Sequence, residues 1–188
     1  MLMRAITAPM RALKWVAFGS PQFSEQEEYL AFRYKFLIIL MISAGLLTLL
    51  FILGTLSQIN PLGWRHGWAM MTFTSATLVM WLMLRGKPHR FKTIAWSYEA
   101  LSLLESTSAL IHVPVDELRV LWFYTNVPCV FILLGARPGW VITLGTMAGL
   151  VWVNTGLAQP YSGPAMATGV LALAYLGISF HAYGDRSM

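Results

Sequence analysis

Apolar runs recur along the whole chain, divided by short breaks that are polar or carry glycine and proline. A helix that crosses hydrocarbon needs about 20 mainly apolar residues, because the core is about 30 Å thick and each residue rises about 1.5 Å. By that measure six spans are expected: Phe36–Leu56, Gly67–Leu84, Thr93–Val113, Arg119–Leu134, Gly139–Val153 and Ala165–Tyr183. The fourth and fifth are short and are expected to tilt little or to meet a thinner membrane. A more polar stretch leads into the first span. Either Ser20 followed by Pro21, or Ser24 with Glu27, can cap its start. Turns are expected at Asn60-Pro61-Leu62-Gly63, Arg85-Gly86-Lys87-Pro88, Val113-Pro114, Gly135 through Gly139, and Pro160 through Pro164. No internal repeat, low-complexity segment or long linker is visible.

The fold class that follows is all-α: an integral membrane bundle of six transmembrane helices with both termini cytoplasmic. Residues 1–28 form an N-terminal cytoplasmic or interfacial segment, 29–184 the bundle, and 185–188 the start of a cytoplasmic connection. Met3, Ile6, Met10, Leu13 and Val16, interleaved with basic residues, suit either an interfacial helix or a loose tail. No signal peptide is visible, since Pro9 and the basic residues interrupt the first 20.

Composition agrees. The 188 residues are 57% hydrophobic and 11% charged, against about 25% charged in a soluble domain. Net charge is +5, but the basic residues sit in short breaks between spans, so they orient the chain in a bilayer and do not imply a nucleic-acid partner. Of the 13 Lys and Arg, only Arg65 and Arg119 fall on one side. The rest fall on the other, which puts both ends inside an inner membrane. Cys129 is the single cysteine, so no intrachain disulfide can form.

No phosphate-binding glycine loop, nucleophile elbow, HExxH or kinase signature is present. What remains is polar residues inside the membrane, which are costly and mark function by default. Glu105 stands about 12 Å below the outer end of the third span, and Asn126 at a matching depth on the fourth, so a contact between them is feasible. Tyr98, Glu105 and His112 share a face, with Ser102 between them. One reading is a small polar pocket open to the outside, with Glu105 as its charged or proton-binding element. The other is an interhelical hydrogen bond that holds the bundle together. Asn126 leans to the structural role, with Pro128 beside it able to kink the helix. Glu99, nearer the basic inner loop, suits an ion pair with Lys92 or Arg90. His112, Asp116, Glu117 and His66 offer an imidazole-carboxylate set for a divalent metal or a pH response. Asp116 can equally cap the fourth helix, and His66 reads as a solvated loop residue. No facing histidine pair demands a haem.

Two segments carry a resemblance. Ala109–Gly135 (ALIHVPVDELRVLWFYTNVPCVFILLG) and Pro160–Ser187 (PYSGPAMATGVLALAYLGISFHAYGDRS) resemble the N-terminal membrane regions of bacterial GGDEF-type diguanylate cyclases. Tyr29–Leu40 is similar in character. The matching residues are Asp116, Glu117, Asn126, Pro128, Pro160 and Tyr161. The GGDEF motif itself is absent, so no catalytic residue carries over and the chain as given is not an enzyme. The resemblance implies a sensory input portion of a longer protein. It would read a small ligand, a partner protein or a membrane state, and control a C-terminal cyclase. GTP and magnesium would bind only in that missing domain. A homodimer is implied because condensing two GTP needs two cyclase domains. The alternatives are a small proton- or ion-coupled transporter or channel subunit using Glu99 and Glu105, or a ligand-free anchor.

Overall fold

The structure, a computed structural model, describes residues 16–59, 62–114, 116 and 118–186. The segment expected to lie along the interface falls mostly in residues 1–15, outside the described residues, and so do Asn60, Pro61 and Glu117. Among the described residues six long helices follow one another: α1 (Glu28–Leu56), α2 (Trp64–Leu84), α3 (Phe91–His112), α4 (Leu121–Leu134), α5 (Ala136–Asn154) and α6 (Gly163–Arg186). Short 3-10 turns, Glu25–Glu27 and Pro88–Arg90, lead into α1 and α3. No strand occurs among the described residues.

Local chemistry sets the boundaries. The Glu27 carboxylate accepts hydrogen bonds from the backbone N–H and the hydroxyl of Ser24, each at 3.0 Å, so the Ser24–Glu27 start is the one formed. In α2 the buried residues His66, Met70, Phe73, Thr77, Met80 and Leu84 recur at helical spacing and make one stripe. Two expected boundaries are corrected. Arg119 does not open the fourth helix, which begins at Leu121; its guanidinium is used in the preceding turn instead. The turn expected over Gly135–Gly139 shrinks to Gly135 alone. A φ of 93° there, open to glycine without strain, reverses the chain in one residue and lets α5 start at Ala136. Gly139 then lies against the Phe131 ring, where an added Cβ would come within 2.7 Å.

Consecutive helices run antiparallel. At one end, here the near end, Tyr34 at the start of α1 meets Leu84 at the end of α2, and Arg33 meets Leu133 at the end of α4. At the far end His66 meets Ser108, and Phe51 packs edge-on to Trp122. Two hydrophobic clusters result. One joins α1, α2 and α3 with Leu133; the other joins α4, α5 and α6 with Leu110. The α3–α4 contact, flanked by α1 touching α4 at both ends, is the seam between these halves.

The surface is apolar and the interior holds polar groups. Leu46, Leu50, Leu53 and Leu56 of α1, Leu78, Val79 and Leu82 of α2, and Leu171, Tyr175 and Ile178 of α6 are exposed. Thr77, Glu99, Ser106, Asn126 and Thr143 are buried. Broad exposed apolar faces with all backbone bonds made inside helices suit lipid as the solvent. Glu25–Leu56, Trp64–Leu84 and Gly163–Ala182 are each long and apolar enough to cross a membrane. The other three helices fall short for distinct reasons. Lys92, Glu99 and Glu105 lower the hydropathy of α3, α4 has only 14 residues, and α5 carries Arg137 and a run of Gly and Thr.

Candidate functional site

The polar groups that α3 turns toward its neighbours divide between two faces. Toward α2, the Glu105 carboxylate lies 3.5 Å from Nε2 of His66, whose Nδ1 is 3.2 Å from the Ser108 hydroxyl. Toward α4, the Ser102 hydroxyl donates to Oδ1 of Asn126 at 2.7 Å, and Nδ2 of Asn126 donates to the Ser106 hydroxyl at 3.2 Å. The helix period explains the division. Glu105 and Ser108 are three apart and share one side, while Ser102 and Ser106 are four apart and share another.

The expected Glu105–Asn126 contact is therefore not made. Each residue has a different partner helix, although both lie in the same stretch of the bundle. Tyr98 does face α2, where its ring sits 6.1 Å from that of Phe73. His112 is exposed at the end of α3, outside the hydrogen-bonded group but near enough to His66 to interact with it electrostatically. His66 is the main correction. It is not a solvated loop residue; it is 4% exposed, the first position of the buried stripe of α2, and the partner of Glu105. Glu99 is corrected too. Lys92 is exposed, no ion pair with it or Arg90 forms, and both Glu99 carboxyl oxygens lack hydrogen-bond partners.

Two of the candidate metal ligands have other partners. Asp116 accepts from the Leu118 backbone N–H at 2.9 Å, tightening the turn before α4. His66 is engaged with Glu105, and Glu117 lies outside the described residues. Among the described residues no three His, Cys, Asp or Glu side chains come together.

A second polar structure at the far end was not anticipated. Arg119 is buried and donates to the carbonyls of Pro114 and Asp116 at 2.9 and 3.0 Å, and to that of Gln159 at 2.8 Å. Its guanidinium also lies 4.9 Å from the centre of the Tyr161 ring. Asn154 at the end of α5 pairs with both backbone groups of Tyr161. The connection before α4 is thus clasped to the connection before α6.

Chemically, the His66–Glu105–Ser108 group can exchange a proton, accept a hydrogen-bonding ligand, or change the α2–α3 contact when its charge changes. The Asn126 group is fully engaged among neutral partners and serves as structural glue. No family model matches the chain, and neither the curated proteins nor the solved structures include one similar to it.

Proposed function

We propose that this chain is the membrane-embedded input module of a bacterial signalling protein, one that governs a cytoplasmic GGDEF diguanylate cyclase domain continuing from α6. The chain crosses the inner membrane six times. The near end, which carries most of the Lys and Arg, is cytoplasmic. The observation that carries the reading is the His66–Glu105 contact. A titratable pair between two membrane helices, with His66 buried and Glu105 half-buried, is costly to keep, and its geometry depends on its protonation and on any competing ligand. It therefore gives α2 and α3 two arrangements that a signal can distinguish. A shift of α3 passes through the Asn126 seam to α4, and from there to α6. The similarity of Ala109–Gly135 and Pro160–Ser187 to cyclase membrane regions supports the choice of output, and a dimer would bring two cyclase domains together.

The test is to express the complete reading frame in a strain lacking other cyclases and measure cyclic di-GMP. Glu105→Gln and His66→Gln are each expected to shift the level by about fivefold or more, the usual scale of coupling between sites, at unchanged amounts of protein in the membrane. A reading frame with no cyclase continuation, or a level that neither substitution moves, contradicts the proposal. A change in proton flux instead would favour a transporter.

A further inference from the structure

Glu99 is fully buried near the middle of α3 and stands apart from the His66–Glu105 contact. Glu99, Ser102 and Ser106 follow at i, i+3 and i+7, so they share the face of α3 that meets α4. Ser102 and Ser106 hold Asn126 there. Cys129, three residues beyond Asn126 on α4, lies near enough to Glu99 for the two to interact electrostatically. The carboxyl therefore belongs to the seam between the α1–α3 and α4–α6 halves.

Among the described residues no element packed there brings a counter-charge to Glu99. Residues 36–56 of α1 and 67–84 of α2 carry no titratable side chain. From α4 only the Cys129 thiol faces it, and on α3 itself only the Tyr98 hydroxyl and, two turns away, Glu105, which is turned to His66. Arg33 is directed to the Leu133 carbonyl. An ionised carboxylate with no cation and no hydrogen bond does not persist in such an interior, whereas a neutral carboxylic acid does. The single other route to charge is to let water in, and the seam is where water would have to enter.

We infer that Glu99 is a proton-binding site, a neutral carboxylic acid that keeps the α3–α4 seam closed and whose ionisation separates the two three-helix halves. The proton leaves to water admitted along the seam, and reclosure takes it back. This inference stands on the seam geometry and does not depend on the identity of any output domain.

Two measurements on the full chain in lipid vesicles test it. Infrared spectroscopy at neutral pH is expected to show the carbonyl stretch of a protonated carboxylic acid. Glu99→Gln should abolish that band, and Glu105→Gln, which leaves Glu99 in place, should retain it. Absence of the band, or its survival in Glu99→Gln, overturns the assignment. Cys129, the sole cysteine, reports on the seam itself. Its labelling by a water-soluble maleimide should be slow at neutral pH and should rise at alkaline pH by about fivefold or more over its rise in Glu99→Gln, the scale of a coupled opening. That comparison removes the thiol's own pH dependence. Equal labelling profiles in the two proteins overturn the latch. If Glu99→Gln fails to accumulate, the wild-type band decides through Glu105→Gln: its loss there overturns the assignment, and its retention upholds it.

Discussion

Replacing Arg119 with alanine is expected to lower the unfolding free energy by about 3 kcal/mol, because the carbonyls it leaves behind each lose a charge-assisted partner. The buried guanidinium reaches the carbonyls of Pro114, Asp116 and Gln159 at once. Removing it also strips the cation from the Tyr161 ring. Arg119→Lys keeps the charge and loses the planar fork, so it should recover less than half of the difference. Reversible unfolding in mixed micelles measures both. An unchanged midpoint for the alanine variant would mean that water replaces the clasp without cost. Near-complete rescue by lysine would mean that charge alone matters there.

The near end has its own lock in Tyr34, which is fully buried. Its hydroxyl lies 3.1 Å from the carbonyls of Phe18 and Leu84 and accepts from the Gly86 N–H at 2.8 Å. Its ring packs edge-on against Phe23 at 5.5 Å. Tyr34→Ala should cost about 4 kcal/mol through the cavity and the lost burial. Tyr34→Phe keeps the ring and should cost about 1.5 kcal/mol through the unpaired backbone groups. The same micelle unfolding separates the two contributions. A phenylalanine variant as unstable as the alanine one would show that the hydroxyl, and not the packing, holds residues 17–19 against the α2–α3 turn.

The order of the helices was legible because apolar runs alternate with short breaks that are polar or carry glycine and proline. The boundaries were less so. Gly135 can close a turn by itself, and sequence alone does not say that Arg137 and Pro138 are already helical. The candidate site was half legible. The spacing of Tyr98 and Glu105 placed them on one face, and both do face α2. His66 was missed because it stands beside Arg65 just after a turn. Its signal was present in the period that runs from it through Met70, Phe73 and Thr77 to Leu84. Arg119 was read as a free charge for orientation. Nothing local announces that its partners lie in a connection 40 residues away. Glu99 was paired on paper with the nearest lysine by distance along the helix, but Lys92 points off the buried face, so the two never meet.

The proposed function needs six crossings, with the His66–Glu105 contact near the outer surface and both ends inside. Paired alkaline phosphatase and green fluorescent protein fusions after residues 59, 87, 116, 135 and 159 test this most directly, since the first reporter is active only outside and the second only inside. Phosphatase activity is expected at 59, 116 and 159, and fluorescence at 87 and 135. Phosphatase activity at 87, or fluorescence at both 116 and 159, would contradict it.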